Sequence, residues 1–440
     1  MAPPLTVPAE DAGIGSGTRW HVRTSSLAET SAELSRIWGT LARESLTQAM
    51  SAELARAVRE DPRLAGDANA LDELRVRTRA SVLTLVVVAP TPETQERALA
   101  AVAALASRHP SRAVILAPGD PDGPSAFAGH LHASCQVPDR TTAEVCTEEI
   151  LLQLGGELAG HLASAVAPLL IHDLPVVLWW PDDVPFDSPV LRDLVATVDR
   201  LFVDSGAFRG DGLARLGGMA ATIANGVVVH DVSWMRLLLW RELLAGLFDH
   251  PLLRPELRGI SALRIDVSRP GAEVRLTKAA LVAGWLAAQL GWTVVSPLAA
   301  DPDGAWRARL RAGRREIPLE VRPVASGVDG PVRGAGSLVR VELEGSRSHP
   351  PLRVRVTRQS DHLLGSADWQ GAQIARRAAR LDAFDEMPFL AEALDRSGGD
   401  RVFGRALAAA VRIAGGDPEP IPAGGAAAAP RPRRRAGRRP

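Results

Sequence analysis

Residues 79–120 read RASVLTLVVVAPTPETQERALAAVAALASRHPSRAVILAPGD, and this stretch decides the fold. Two apolar runs, at 79–90 and 112–120, have the length and the β-branched content of buried strands. Between them lies a helical pattern, with Thr91 or Thr94 as its N-cap and Pro110 beyond its end. A strand, a helix and a second strand in this order favour a right-handed crossover, so we predict a parallel strand pair.

The alternation of strands and helices continues on both sides of this crossover. Helical spacing runs from Leu27 to about Glu60, and further strand-like and helical stretches follow as far as residue 232. After Asp301, apolar and charged residues alternate with a period of two, which is typical of antiparallel strands. Residues 367–396 and 402–414 have the pattern of helices.

These patterns predict an α/β fold class. We expect an N-terminal mainly parallel sheet flanked by helices, followed by a mixed α/β or α+β C-terminal domain with antiparallel strands. The predicted domains are a disordered N-terminus at 1–25, an N-terminal α/β domain at 26–220, a C-terminal α+β domain at 221–416 and a disordered Pro/Ala/Arg-rich tail at 417–440.

The composition is typical of a soluble globular protein, with 46% hydrophobic and 23% charged residues. The apolar runs are too short to span a bilayer, and no secretory signal is visible, so we expect a cytoplasmic protein with no membrane partner. Lys278 is the one lysine in a chain whose lysines and arginines number 51. We attribute this bias mainly to codon usage.

Charge is unevenly distributed along the chain, although the formal net charge is zero. The last 17 residues hold six arginines and no acidic residue, so the remainder carries 45 basic against 51 acidic side chains. A body of that sign does not favour nucleic acid, and we expect no nucleic-acid partner. Contact of the tail with a polyanion remains an alternative to a solvated tail.

Two cysteines and two histidines fall in one short stretch. Cys135 and Cys146 could approach each other across a hairpin, either as buried reduced thiols or as a redox-responsive pair. On a strand, His130 and His132 share one face while Cys135 points to the other, which argues against a shared metal ion. We expect no metal site and no cofactor.

Residues 233–249, SWMRLLLWRELLAGLFD, predict one amphipathic helix rich in tryptophan and arginine. Both residue types are frequent at protein interfaces. Trp234, Arg236, Trp240 and Arg241 are therefore candidate partner-binding residues, which either contact a partner or brace the surface that does. The alternative is that both indole rings belong to the core between the two domains.

A second candidate is RHPSR at 108–112, where a helix ends and a strand begins. Arg108, His109 and Arg112 could contact an anionic sugar phosphate or an acidic patch of a partner. Alternatively, the basic residues cap the C-terminal end of the helix.

Catalytic motifs are not evident. The sequence contains no G-x-S-x-G elbow, no Walker lysine and no convincing nucleophile–base pair, so we predict no catalytic residue and no enzyme. Trp179 and Trp180 at the end of a predicted strand are either core residues or part of a presented pocket.

Several segments, in this order, resemble the glucose-6-phosphate dehydrogenase assembly protein family (OpcA). They are ASVLTLVVV, RHPSRAVILAP, CTEEILLQLGG, PLLIHDLPVVLWWP, DRLFVDS and SWMRLLLWRELLAGLFD, and AGWLAAQLGW resembles the C-terminal domain of the family. The resemblance covers about residues 75–415.

The resemblance implies a non-catalytic protein that binds glucose-6-phosphate dehydrogenase and promotes its assembly and allosteric activation, feeding the oxidative pentose phosphate pathway. The alternative is a sugar-phosphate- or nucleotide-binding sensor, because an α/β domain can hold such a ligand. A hydrolase or transferase with an unrecognised site is a third possibility.

Overall fold

The computed structural model describes residues 19–40, 76–79, 81–106, 108–136, 143–171, 173–325, 335–381, 387–396 and 398–418. The chain forms two units, one from the described residues of 1–181 and 189–199 and the other from those of 182–188 and 200–440. The sequence places a domain boundary near residue 220, and that division into folding domains stays a prediction.

The first unit is a mainly parallel sheet with helices. Its elements are β1 (Arg19–Thr24), α1 (27–40), β2 (Val76–Arg79), β3 (Leu83–Val88), α2 (Pro92–Leu105), β4 (Ser111–Pro118), β5 (Ala126–Gln136), β6 (Ala143–Gly155), α3 (Leu162–Val166), β7 (Val176–Trp180) and α4 (Pro189–Val195). The strand order is β1-β5-β6-β4-β3-β7, with β2 also paired to β6. β4 pairs in parallel with β3 and β6, and β3 pairs in parallel with β7, while β5 is antiparallel to β1 and β6.

The crossover predicted at 79–120 is confirmed. All six residues of β3 are buried, as are the first seven of β4, which explains why these strands read as continuous apolar runs. Thr91 caps α2 in a reciprocal capping box with Thr94, and Pro92 occupies the first turn, where its missing N–H costs nothing. Trp179 and Trp180 of β7 are both buried, so they belong to the core.

Two predictions concern the N-terminal part of the chain. β1 lies within the stretch 1–25 for which the sequence predicts disorder, and the rest of that stretch up to residue 18 lies outside the described residues. The helix predicted at 27–60 is present as α1 through residue 40, and residues 41–75 also lie outside them. Residues 419–440 of the predicted tail lie outside the described residues as well.

The second unit contains a parallel strand pair and a large mixed sheet. Its elements are β8 (Arg200–Val203), α5 (Gly212–Ala224), β9 (Val228–Asp231), α6 (Val232–Arg236), α7 (Leu238–Leu247), β10 (Ile260–Ser268), α8 (Thr277–Leu290), β11 (Thr293–Ala300), β12 (Trp306–Ala312), β13 (Arg315–Val324), β14 (Leu338–Gly345), β15 (Leu352–Arg358), β16 (His362–Trp369), β17 (Ala372–Arg380), α9 (Met387–Asp395) and α10 (Arg401–Ile413). β8 and β9 pair in parallel.

The large sheet has the strand order β11-β12-β13-β10-β14-β15-β16-β17. β10 and β13 are parallel, and the other neighbouring pairs are antiparallel. Buried apolar residues alternate with exposed or half-buried charged ones along β13, β14 and β15. The predicted α/β fold class, with a C-terminal region of antiparallel strands, is confirmed.

The helix predicted over 367–396 is wrong for most of its length. Residues 362–380 form the antiparallel pair β16 and β17, and the helix α9 begins only at Met387. Gln370 and Gly371 join the strands with φ angles of 52° and 82°. Two consecutive residues of positive φ match the right-handed twist of a hairpin and cannot continue a helix. The alanine-rich composition of β17 concealed this turn.

The single amphipathic helix predicted at 233–249 is also wrong, because the segment forms two helices that meet at Leu237. In a continuous helix the carbonyl of Trp234 would accept from the N–H of Leu238. Here it accepts from the N–H of Leu237 at 3.2 Å and from Arg241 Nη2 at 3.4 Å. The helical ladder is therefore interrupted at this point.

Candidate functional site

Two aspartates lie at the carboxyl ends of the parallel strands β8 and β9. Asp231 is the last residue of β9 and stands in register with Val203, the last residue of β8, which Asp204 follows directly. Ligands of α/β proteins usually bind outside the carboxyl ends of parallel strands. The polar residues around these two aspartates therefore form a candidate site.

Asp231 is almost completely buried and fully hydrogen-bonded. Its carboxylate accepts from Ser205 N at 2.8 Å, from Ser205 Oγ at 2.7 Å and from Ser233 N at 3.0 Å. Burial raises the pKa of Asp231 to about 6, and the negative charge of Asp204 adds to this effect while the hydrogen bonds oppose it. The carboxylate ties the turn after β8 to the first turn of α6.

Asp204 is half-buried and bonded to both charged and neutral donors. It accepts from Ser233 Oγ at 2.5 Å and from Gly206 N at 2.9 Å, and Arg236 Nη1 lies 2.5 Å from its Oδ2. Burial alone would raise the pKa of Asp204. The charges of Arg236 and Lys278 and these hydrogen bonds outweigh burial, so the pKa lies below its usual value.

Three cationic side chains surround the 3-10 turn Ser205–Ala207. They are Arg236 of α6, Lys278 in the first turn of α8 and Arg275 just before α8. Arg275 Nη1 donates to the carbonyl of Gly206 at 3.1 Å, and its Nη2 pairs with Glu273 at 2.9 Å. Lys278 is partly exposed at the side of this turn.

The pKa of Lys278 is lowered, and burial is the largest cause. Repulsion from Arg236 and Arg275 lowers this pKa further, whereas attraction to Asp204 and Asp231 raises it. We call these residues, together with Ser205, Gly206 and Ser233, the strand-end cluster.

Trp234 lies at the centre of a second group of contacts. Its indole N–H donates to Asp400 at 2.9 Å, and its ring centroid lies 5.4 Å from that of Phe403. The guanidinium of Arg241 lies 3.6 Å from the centroid of the indole. Asp400 also caps α10 by accepting from the N–H groups of Val402 and Phe403. Burial lowers the pKa of Arg241 to about 10, against the attraction of Asp400 and Glu242.

The four residues predicted to bind a partner are thus mostly interior. Trp234 and Trp240 are only 3% and 5% exposed. Arg236 pairs with Asp204, and Arg241 stacks on Trp234. Their partner-binding role stays a prediction, and the geometry is that of residues that hold α6 and α7 in place.

The exposed side of α7 carries other residues. Leu238 is 44% exposed, and Glu242, Ala245 and Asp249 are exposed at the spacings of one helical face. We call these four residues the α7 outer face.

Beside the end of α7 lies an apolar groove of about 630 Å³, whose lining includes Leu244, Phe248, Leu257, Trp285 and Leu286. Ala245 and Asp249 of the α7 outer face also line this groove. Exposed apolar residues next to an apolar groove are a common feature of protein-binding surfaces.

The residues of RHPSR lie in the first unit. Arg112 is buried, its Nε lies 2.5 Å from Glu148 Oε2, and its Nη1 donates to the carbonyl of Leu169 at 2.7 Å. His109 is also buried, whereas Arg108 is exposed. The guanidinium of Arg112 is therefore used within the fold, and an anion contact at this segment stays a prediction.

The structure brings Cys135 and Cys146 together as register partners of the antiparallel strands β5 and β6. A redox role for them stays a prediction. Burial lowers the pKa of His130, with Arg23 and His21 adding to the effect, and His132 lies 3.6 Å from Glu149. Within the described residues, no three His, Cys, Asp or Glu side chains are grouped so that they could hold a metal ion.

The sequence reasoning missed most of the strand-end cluster. Asp204 and Asp231 end the motifs LFVD and VVHD, and an acidic residue at the carboxyl end of a parallel strand is the signal that could have found them. For Lys278, the sequence indicates only that it is the one lysine of the chain. Asp400, 166 residues beyond Trp234, has no local signal that predicts the contact.

None of the helices within the described ranges is both long and apolar enough to cross a membrane. Fold and site together define an α/β protein of two units, with an interior Trp–Arg group and an exposed helix face beside an apolar groove.

The chain belongs to the OpcA family. The family model described as glucose-6-phosphate dehydrogenase subunit N-terminal domain matches residues 102–217, and the one described as the C-terminal domain of that subunit matches residues 227–407. The resemblance inferred from the sequence is confirmed.

Two relatives are named OxPP cycle protein OpcA. The protein from Nostoc punctiforme is 25% identical over 317 residues, which cover 70% of this chain and 66% of the relative. The protein from Synechocystis is 26% identical over 193 residues, which cover 44% of this chain and 39% of the relative. The chain thus spans less than two thirds of the length of each.

Among solved structures, the transcriptional regulator Gal80p from Kluyveromyces lactis is similar with a TM-score of 0.42 and 9% identity, over 80% of this chain and 95% of that protein.

Proposed function

We propose that this protein binds glucose-6-phosphate dehydrogenase, promotes its assembly and activates it allosterically, without catalysing a reaction itself. The observation that carries the proposal is the match of two family models, both described as domains of a glucose-6-phosphate dehydrogenase subunit, to residues 102–217 and 227–407. In this proposal the protein acts in the cytoplasm and serves the oxidative pentose phosphate pathway. It activates by binding more tightly to the conformation of the enzyme that has the higher substrate affinity.

We further propose that the α7 outer face and the adjoining groove contact the dehydrogenase. Leu238 is one of the few large apolar side chains that are strongly exposed within the described residues. It is followed along the same face by Glu242 and Ala245, and the groove beyond offers apolar side chains in a concave surface. An apolar anchor beside a pocket and a polar rim are the usual parts of a protein interface.

Trp234, Arg236, Trp240 and Arg241 support this surface from inside in the proposal. Trp240 and Leu244 pack on the buried side of α7, opposite to Glu242. Arg241 connects α7 to Trp234 of α6, and Trp234 is bonded to Asp400 at the start of α10. Replacement of these residues therefore changes the surface by disturbing its support, and the exposed residues are the better test of contact.

The experiment measures complex formation by analytical ultracentrifugation. Purified full-length protein is mixed with glucose-6-phosphate dehydrogenase from the same organism, alone and as the Leu238→Glu variant. We expect a complex with the wild-type protein and a dissociation constant at least about tenfold larger for the variant, because a charge would be placed in a desolvated contact.

Leu158→Glu is the matched control, since Leu158 is 39% exposed and lies in the first unit. It should bind like the wild type. Equal binding by all three proteins would remove the α7 outer face from the interface, and absence of any complex would contradict the proposed function.

A further inference from the structure

We propose that the strand-end cluster binds a phosphate group, held by Lys278 and Arg275 beside Gly206. The proposal goes beyond the proposed function and does not depend on it, since it requires neither the dehydrogenase nor the α7 outer face. The ligand would be free phosphate or the phosphate monoester of a small metabolite.

Among the described residues, the ion pairs around Gly206 leave Lys278 without a directly bonded counterion. Arg236 is paired with Asp204 at 2.5 Å, and Arg275 is paired with Glu273 at 2.9 Å. Lys278 makes no hydrogen bond and no ion pair within the described residues, although it lies beside both arginines. One partly exposed cation is thus left without a directly bonded counterion, which an anion from solution can supply.

Asp231 is not the directly bonded counterion of Lys278. Its carboxylate already accepts three hydrogen bonds from Ser205 and Ser233, and it is only 1% exposed. Its charge acts on Lys278 from a distance without a bond. Among the described residues, Arg275 in addition has a buried Nε–H group without a hydrogen-bond acceptor. Two neighbouring donors therefore lack acceptors.

Gly206 leaves space for the amine of Lys278. A Cβ atom at this position would lie 2.6 Å from Ser233 Oγ, 2.7 Å from Lys278 Cε and 2.9 Å from Lys278 Nζ, so the Lys278 side chain would have to move if this residue carried one. The turn follows the carboxyl end of β8, the edge at which α/β sheets usually hold ligands. The amine therefore lies directly beside this turn.

Lys278 is a lysine in a chain that otherwise uses arginine. Of the 51 lysine and arginine residues 50 are arginine, so the composition strongly favours arginine wherever a positive charge alone is sufficient. A lysine at this position supplies a compact ammonium group with three donors. The lowered pKa of Lys278 agrees with this, because crowding by Arg236 and Arg275 contributes to it and a bound dianion would relieve that repulsion.

Phosphate fits the three surrounding cations better than a carboxylate does. It carries up to two negative charges and offers oxygens in several directions, whereas a carboxylate carries one charge in one plane. Lysine binds phosphate as a point charge, and arginine adds directional N–H donors.

The test uses the full-length wild-type protein, which has only two kinds of primary amine, Lys278 and the α-amino group of the chain. Trinitrobenzenesulfonate modifies both, and mass spectrometry of the two peptides gives both rates in one sample. We expect millimolar inorganic phosphate or glycerol 3-phosphate to slow modification of Lys278 at least about fivefold relative to the α-amino group, and acetate at equal ionic strength to have no such effect. Stronger protection by the monoester than by phosphate would identify a phosphorylated metabolite as the ligand.

Titration calorimetry with the same two probes provides the second measurement. Lys278→Met should weaken binding about tenfold or more, since a hydrogen bond to a charged group is lost. Lys278→Arg should weaken binding less than Lys278→Met does but measurably, because it keeps the charge and loses the compact ammonium group. Arg311→Gln, at an exposed position on β12, should retain the full affinity.

Equal modification rates with phosphate and acetate, or phosphate binding that survives Lys278→Met, would overturn the proposal. Both measurements are made without the dehydrogenase, so their failure leaves the proposed function standing, and failure of complex formation leaves this site untouched.

Discussion

The guanidinium of Arg241 lies over the Trp234 indole ring, 3.6 Å from its centroid, across the break between α6 and α7. The same indole donates to Asp400 at the start of α10. One arginine, one tryptophan and one aspartate therefore connect three helices of the second unit. Arg241 and Trp234, two of the four residues that the sequence offers as partner contacts, thus contact each other, and their partner-binding role stays a prediction.

The first prediction concerns this pair. Arg241→Met should lower the free energy of unfolding by about 1–2 kcal/mol, because a partly desolvated cation–π contact and the hydrogen bond to the Trp234 carbonyl are lost while the aliphatic stem is kept. Chemical denaturation followed by tryptophan fluorescence measures the change. Arg405→Met, at an exposed position of α10, is the control and should change stability by less than about 0.5 kcal/mol. Equal effects of the two variants would disprove a specific role for the stacking.

The second prediction concerns the buried ion pair of Arg112 and Glu148. Glu148 is 0% exposed, so Glu148→Gln leaves a buried guanidinium without its charge partner and should cost about 3–5 kcal/mol of stability. Denaturant titration of the full-length protein gives the value. Glu149→Gln, on the opposite and more exposed side of β6, should cost less than about 1 kcal/mol. A small loss for Glu148→Gln would show that the pair contributes little.

The third prediction is a pH dependence due to His230. Burial, with repulsion from Arg200 and Arg396, lowers the pKa of His230 from 6.5 to about 4, against the attraction of Asp400. Between these values the unfolded chain binds more protons than the folded one, so this residue makes stability fall as the pH falls from about 6.5 to about 4. The total amounts to about 3 kcal/mol at most.

His230→Gln isolates this effect, because Asp231 acts in the opposite direction. The raised pKa of Asp231, about 6, favours the folded state as the pH falls below that value. Since Asp231 is present in both proteins, its contribution largely cancels in the comparison. The wild type should lose stability relative to His230→Gln on acidification, and parallel stability curves from pH 7 to pH 4 would contradict the assignment.

The fourth prediction concerns the hairpin between β16 and β17. Gly371 has a φ angle of 82°, so Gly371→Ala should cost about 1–2 kcal/mol. Gly217 lies inside α5 with ordinary helical geometry and open space around it, so Gly217→Ala should instead stabilise by up to about 1 kcal/mol. Thermal unfolding of both variants measures the two signs, and a stabilising Gly371→Ala would contradict the turn geometry.

The sequence predicts the parallel crossover well because its strands are buried on both faces and its helix has strong local signals. β3 and β4 read as unbroken apolar runs, and Thr91 with Pro92 marks the start of α2. These signals depend only on residues near one another in the chain, which is why they need no knowledge of tertiary structure.

The predictions that failed concern residues whose conformation depends on tertiary contacts and turn geometry, which the periodicity of the sequence does not show. In β17, alanine and arginine favour a helix locally, and only pairing with β16 and the positive φ of Gln370 and Gly371 make a strand of it. At the break at Leu237, the carbonyl of Trp234 accepts from the N–H of Leu237 and from the side chain of Arg241, which no periodicity of the sequence indicates. The strand-end cluster likewise assembles residues from β8, β9 and α8 that are far apart in sequence.

In the proposed function, this protein activates glucose-6-phosphate dehydrogenase by forming a complex through the α7 outer face. The most direct test is the initial rate of the dehydrogenase from the same organism across substrate concentrations, without this protein, with the wild type and with Leu238→Glu. We predict that the wild type shifts the saturation curve to lower substrate concentration, that the shift levels off at a fixed molar ratio, and that Leu238→Glu shifts it much less than the Leu158→Glu control does. Superimposable curves with and without the wild-type protein would contradict the account.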